Sequence, residues 1–493
     1  MATRATPSDS QYPKAEYSLS PLLTLGAYAL YEFPRAVYRE FNSPLRYLPG
    51  PKSSYFFYGN ESENVELKAQ WVQQYGSTYN YESFFGATRL LTTDTKAVDH
   101  FLVNNDIYQK PEAEQYTLGR IGGPGLLVAE GDEHRQQNPA FGIPQMRELT
   151  GIFVEKSIQA VDAGGGARVN IAPWLNKATL DIIGLAGFKT TISSPSSGNA
   201  ESAELGKAIS TIFEAGMKPN ALRTLQALVP PFRLIVCTSR CMPRKCCYFP
   251  KRQLLQESKN EMAENGGSRD LFSLLVRANT AKDIPVNQRL SDEDVLAQVP
   301  TFLVAGHETM ATAMIRALFA LTQNVAAQMR LQEELFAAPT DHPTMDGLNE
   351  LQYLDCVVRE TLRLHAPVPA YVPLATPFTD INGSVHETLS AVLSTIPIVT
   401  INRDKATWGK PTTDSPDRWE SQAISNSIPG VWSHMLPGYR FSLVAMKALL
   451  FPLVRAFEFE LAVPVADIGK QSSNATVQHP RCRDPDAVHH ICS

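Results

Sequence analysis

Five consecutive residues near the middle of the chain, Ala305, Gly306, His307, Glu308 and Thr309, set an acid beside an alcohol within an otherwise apolar stretch. A carboxyl and a hydroxyl side by side can take up a proton and hand it on, the task of general acid–base catalysis. Both are costly to bury in a helix interior, and a glycine there costs roughly 1 kcal/mol relative to alanine. A packing explanation is also open: small residues allow two helices to cross closely, and Thr309 can bond back to the preceding turn. A second group is Glu360-Thr361-Leu362-Arg363, whose acid and base stand three apart and so share one side of a helix that ends before Pro367. A third is Pro416-Asp417-Arg418-Trp419. Acid–arginine pairs at such spacings are common on surfaces, where they contribute little. Neither group is specific alone.

The elements that must position these residues are legible in outline. Leu290 to Gln323 reads LSDEDVLAQVPTFLVAGHETMATAMIRALFALTQ. Ser291, with Asp294 three residues on, forms a capping-box start, and the apolar run behind it predicts one long buried helix. Residues 145–365 as a whole carry helical periodicity. Thr78–Thr93 is rich in Tyr, Phe and Thr and predicts two short strands around Gly86. A β-branched run within 381–402 predicts further strands. Pro44, Pro49 and Pro51 disfavour helix in PLRYLPGPK and suggest a hinge. These features predict a mainly α fold with a small β-sheet in a single large domain. The expected division is an anchor and hinge over 1–40, the catalytic domain over 41–470 and a divergent tail over 471–493.

Composition narrows the function. Of 493 residues 43% are apolar and 19% charged, enough for a large core, and a net charge of −5 leaves no electrostatic footprint for nucleic acid. Seven cysteines form no secreted disulfide framework, which favours a cytosol-facing compartment. Cys237, Cys241, Cys246 and Cys247 lack the paired spacing of a zinc site, so 236–250 reads as a loop. Residues 18–33, SLSPLLTLGAYALYEF, are a marginal membrane anchor, or else a buried first helix. Arg35, Arg39, Arg46 and Lys52 follow it, against Arg4 and Lys14 before it, which would leave the body in the cytosol. Asn60, Asn382 and Asn474 stand in glycosylation sequons that a cytosolic body would leave unmodified.

Taken together, the motifs resemble the cytochrome P-450 family, fungal microsomal type. AGHET precedes ETLR by 52 residues (Glu308 to Glu360), and PDRW follows 58 beyond (Glu360 to Arg418), in the family's order. PLRYLPGP, the NPAFG run at 138–142 and INRDKATWG at 401–409 fit the same pattern over about residues 40–465. The resemblance implies a cytochrome P-450 fold with haem as cofactor. It implies monooxygenation of an apolar small molecule with electrons from NADPH through a cytochrome reductase, at the endoplasmic reticulum membrane. Ala305 and Gly306 would line the distal haem face, with Glu308 and Thr309 as the catalytic proton carriers. His134 and Gly438 would belong to haem-contacting stretches, and Glu360, Arg363 and Arg418 would be a structural ion triad.

The chain departs from that pattern around the iron. The family's ligand is a cysteine in a loop of the form phenylalanine-x-x-glycine-x-arginine-x-cysteine-x-glycine, and its thiolate feeds electron density to the iron. Here VWSHMLPGYRFSL runs straight through, and counting back from Gly438 puts Leu436 at the cysteine's place. Arginines expected after His134-Arg135-Gln136-Gln137 and after Val368-Pro369-Ala370 are also absent. All three gaps are short, and matching sequence resumes on both sides, a pattern of excision rather than drift. The rival reading is a haem-free relative that keeps the fold.

Overall fold

The structure is a computed structural model; the residues it describes fall mainly in 43–130, 167–188, 271–280, 289–375, 392–420 and 439–461, with short pieces elsewhere. His134, Leu436 and Gly438 lie outside them, as do the cysteine-rich segment 236–250 and residues 18–25.

The proline-rich segment begins in a short turn bonded to the sheet. Pro44 opens a single 3-10 turn over Pro44–Tyr47, capped by Ser43, where its missing N–H costs nothing. Asn80 Nδ2 holds this turn by donating to the carbonyls of Leu45 at 2.8 Å and Leu48 at 2.9 Å. Helix α1 (Val65–Tyr75) leads into strands β1 (Thr78–Glu82) and β2 (Thr88–Thr92), paired antiparallel with Thr78 opposite Thr92. Gly86 closes the turn at φ 72°, a left-handed conformation that suits glycine. Tyr79 and Tyr81 alternate inward and are buried.

Helices α2 (Thr95–Val103) and α3 (Glu112–Gly122) flank the two-residue strand β3 (Tyr108–Gln109). Then come α4 (Ile171–Phe188), α5 (Leu271–Thr280) and the 32-residue α6 (Asp292–Gln323). Helix α6 begins with a complete capping box. Asp294 N donates to Ser291 Oγ at 3.1 Å, and Ser291 N donates to Asp294 Oδ2 at 2.9 Å. Three acidic residues in its first turn complement the helix dipole. Helices α7 (Val325–Ala337), α8 (Met345–Glu350), α9 (Gln352–Leu364) and α11 (Tyr439–Ala456) pack around α4 and α6 in one continuous apolar core; α10, between the last two, is described next. The result is a mainly α domain with a small sheet, as the sequence suggests.

The β-branched run meets its expectation only in part, with Val385–His386 forming a further short strand. Only Ser394–Thr395 (β5) extends the main sheet, parallel to β2, while Leu374–Ala375 (β4) pairs with β3. From Pro397 onward the chain turns into α10 (Ile398–Asn402). Proline has no N–H for a ladder, and Ile398, Val399 and Thr400 find burial on the helix instead. Tertiary packing overrides β-propensity here.

Among the described residues no helix is long and apolar enough to cross a membrane. The capping box gives a direct test of helix nucleation. Ser291→Ala removes one cap acceptor and is expected to cost about 1 kcal/mol, read as a lower urea midpoint with an unchanged slope.

Candidate functional site

Two arrangements stand out, one on α9 and one on α6. The first is built on the Glu360 carboxylate, which has no solvent exposure. Arg363 grips it with two bonds, Nε to Oε2 and Nη2 to Oε1, both at 2.8 Å. Arg418 Nε donates to Oε1 at 2.9 Å and the Ser415 N–H to Oε1 at 3.0 Å, while the Trp419 indole donates to Oε2 at 3.0 Å. Arg363 also donates to the Asn402 carbonyl at 2.7 Å, closing the end of α10, and to the Thr413 carbonyl at 3.4 Å. Trp408 lies under the Arg363 guanidinium, 4.9 Å from carbon to ring centre, and against Trp419. Burial alone would raise the Glu360 carboxyl. Arg363's hydrogen bond and charge, then Ser415 and Arg418, outweigh it and hold the group below its ordinary value of 4.5.

The second arrangement is the middle of α6. Thr309 Oγ1 donates to the Ala305 carbonyl at 2.5 Å, and both residues are half-buried. A Cβ on Gly306 would stand 2.6 Å from Ile183 Cδ1 and Cγ1, so the glycine is what lets α4 cross α6 closely. The structure thus gives Gly306 a packing role that a haem-facing assignment did not include. His307 is buried, and burial pushes its imidazole down to about 4, so it is neutral near pH 7. Its Nε2 lies 3.4 Å from Glu308 Oε2.

Several contributors escaped sequence reading. Trp419 stood in a quoted motif, yet nothing in the sequence said that its indole reaches Glu360. Arg330, on α7, bonds Asp417 and Glu420 and lies over Tyr353, bracing the turn that carries Arg418. Lys447 is buried on α11 and pairs with Asp355 of α9 at 2.7 Å, tying the helix after the missing loop to the helix of the triad.

With this geometry in view, comparisons with known proteins decide the family. The family profile for cytochrome P450 matches residues 53–481. This chain belongs to the cytochrome P450 family. It is 44% identical to cytochrome P450 monooxygenase 205 of Postia placenta, with 90% of each chain covered. It is 42% identical to cytochrome P450 monooxygenase 128 of the same fungus, over 93% of this chain and 94% of that one. A ganoderic acid synthetase from Ganoderma lucidum is 29% identical over 85% of this chain. The alignment with monooxygenase 128 runs over 517 positions, more than the 493 residues here, so that relative carries stretches this P450 lacks.

Haem is the cofactor of the P450 family, and its members are haem-dependent monooxygenases. The donor set tests whether this chain suits it. Among the described residues, the cysteine whose side chain is described is Cys356, buried on α9. Burial first, then Asp355 and other nearby carboxylates, push its thiol up to about 11. A thiol so protected is a poor source of thiolate. No cysteine stands at the Leu436 position either. The described residues therefore do not supply an axial thiolate, although α6 carries the acid and alcohol.

Because the lowered carboxyl of Glu360 is ionised in the folded protein, its contribution is present above 4.5 and is lost as pH falls toward the lowered folded value. Glu360→Ala leaves Arg363 buried without its counter-charge, at about 3–5 kcal/mol. The expected result at pH 7 is a large loss of melting temperature or of soluble yield, together with a smaller acid-induced loss below pH 4.5 than wild type shows. Melts at pH 7 and across the acid range check both.

Proposed function

We propose that this P450 is a monooxygenase that inserts one atom of O2 into an apolar small molecule, with electrons delivered from NADPH by a cytochrome reductase. The observation that supports the reading is the acid–alcohol pair Glu308–Thr309 in the middle of buried α6, in a chain of this family. Bound haem would supply the oxygen activation. The chain's own part is to exclude water around α6 and to hold a proton at the Thr309 hydroxyl, with Glu308 beside it. The ionised triad of Glu360, Arg363 and Arg418 would hold the fold on the opposite side. Ala305, Gly306, His134 and Gly438 remain the cofactor-contacting candidates by family position. A second reading, a haem-free relative that binds apolar ligands, is favoured by the missing thiolate donor.

One absorbance experiment separates the two. Reduced under carbon monoxide, the 493-residue chain is expected to lack the red-shifted Soret band of a thiolate ligand. A version with a phenylalanine-x-x-glycine-x-arginine-x-cysteine stretch restored before Pro437-Gly438 is expected to show it. A clear band from the chain itself would overturn the ligand assignment; no band from the restored version would overturn the monooxygenase reading.

The same proposal places the body on the cytosolic side of the endoplasmic reticulum membrane, held by residues 18–33. Exposed Leu30, Tyr31 and Tyr38 and the basic residues that follow support it. Deleting residues 1–40 is expected to move the protein from the membrane pellet to the supernatant on cell fractionation.

A further inference from the structure

Large exposed side chains concentrate in one stretch of the chain. Leu30 is 79% exposed, Tyr31 65%, Tyr38 71% and Tyr47 91%, and elsewhere among the described residues no large apolar side chain exceeds 65%. Single exposed apolar side chains are ordinary on a protein surface, but a contiguous group of them marks a contact.

The backbone that carries Tyr47 is fixed, so the ring cannot withdraw by refolding of its turn. Ser43 Oγ accepts from the Leu45 N–H at 3.3 Å, and Asn80 Nδ2 donates to the carbonyls of Leu45 and Leu48. The Asn80 N–H donates to the Pro49 carbonyl at 3.0 Å, and Asn60 Nδ2 to the Pro51 carbonyl at 3.3 Å. A Cβ on Gly50 would stand 1.9 Å from the Asn80 carbonyl oxygen, so the segment lies flush against β1. Leu45 and Pro51 point inward and are buried, while Arg46, Tyr47, Pro49 and Lys52 are exposed. The outer face of this turn thus presents one phenol ring, one proline and two cations, and residues 43–60 contain no acid.

That chemistry fits a lipid surface. A tyrosine has an apolar body and a polar tip, and it sits best where an apolar phase meets water. Cations beside it are attracted to anionic headgroups. The same pairing recurs closer to the anchor, where the Arg35 guanidinium lies 5.9 Å from the centre of the Tyr31 ring. Chain length also keeps the turn near the membrane once residues 18–33 are in it. Ten residues separate Phe33 from Ser43. Fully extended they reach at most about 35 Å, and a helical path, which the described Pro34, Arg35 and Tyr38 follow, covers only about 15 Å.

We propose that the turn at 43–52 is a second membrane contact, in which Tyr47 enters the headgroup layer and Arg46 and Lys52 engage anionic lipid. It rests on the anchor reading above and adds an orientation to it: with one rigid turn held against the surface, the body has a fixed tilt. The contact is small, so it supplements the anchor and does not replace it. The test adds the full chain to vesicles of phosphatidylcholine alone and of an equal mixture with phosphatidylserine. Tyr47→Trp alters a side chain that is almost wholly exposed, so the fold is expected to stand. Compared with the five native tryptophans of wild type, its added emission is expected to be quenched by lipid brominated close to the headgroup. Arg46→Ala combined with Lys52→Ala is expected to weaken binding to the mixed vesicles about tenfold and to leave binding to phosphatidylcholine unchanged. Binding of the full chain with the tryptophan at 47 unquenched, or with undiminished affinity of the double variant for mixed vesicles, would overturn the turn contact and leave the anchor reading in place. Failure of the full chain to bind either vesicle would overturn the anchor reading, and the turn contact with it.

Discussion

The Glu360 carboxylate is the point on which the meeting of α9, α10 and the 413–419 turn depends. Removing a carboxylate from water is expensive, and the cost is met only when every lone pair finds a donor. Here the donors come from two stretches, Arg363 on the same helix and Ser415, Arg418 and Trp419 from the turn beyond, while Arg363 also donates to the carbonyl that ends α10. A single ion therefore dictates where α9, α10 and the 413–419 turn must meet. Arg330 on α7 and Lys447 on α11 extend the arrangement outward by pairing with Asp417 and Asp355. The apolar core shared by α4, α6, α7, α9 and α11 supplies the driving force, but it is non-directional. The ion network selects one docking among many that would bury similar area.

Helix α6 shows the opposite use of polarity. Its polar residues are not knotted together: Thr309 donates a hydrogen bond to the Ala305 carbonyl, and His307 is kept neutral by burial, its Nδ1 buried without a hydrogen-bond partner among the described residues. A neutral imidazole next to Glu308 adds no charge to the helix interior, and the acid and alcohol remain half-buried. Gly306 serves closeness of approach to α4. Glu360, by contrast, is committed to structure by every bond it makes.

The contrast between a well-formed acid–alcohol helix and an absent thiolate defines this member of the family. Both ends of the loop region survive in sequence, and α11 starts one residue after Gly438. That helix is buried along its length from Val444 to Val454 and held by Lys447. The fold on either side of the missing stretch thus has its own stabilising contacts, which is why loss of the ligand loop leaves an architecture still recognisable from packing alone.

Local signals in the sequence determined the helical class, the start of α6 at Ser291, the β1–β2 hairpin around Gly86 and the helix face shared by Glu360 and Arg363. Each of these depends on residues a few positions apart, within reach of hydrogen bonds and periodicity. The same sequence also determined that leucine, and not cysteine, stands two residues before Gly438, since a missing residue type cannot be restored by folding. What only tertiary structure decided depends on partners distant along the chain. The β-branched stretch at 398–402 became a helix because its burial site and Arg363 required it. Asn80 reaches the proline-rich segment and bonds its turn, and Ile183 explains Gly306. Trp419 joined Glu360 because a turn 55 residues away came to rest on α9. Desolvation and directional bonding act only once those distant groups are brought together, so their outcome is written in contacts rather than in spacing.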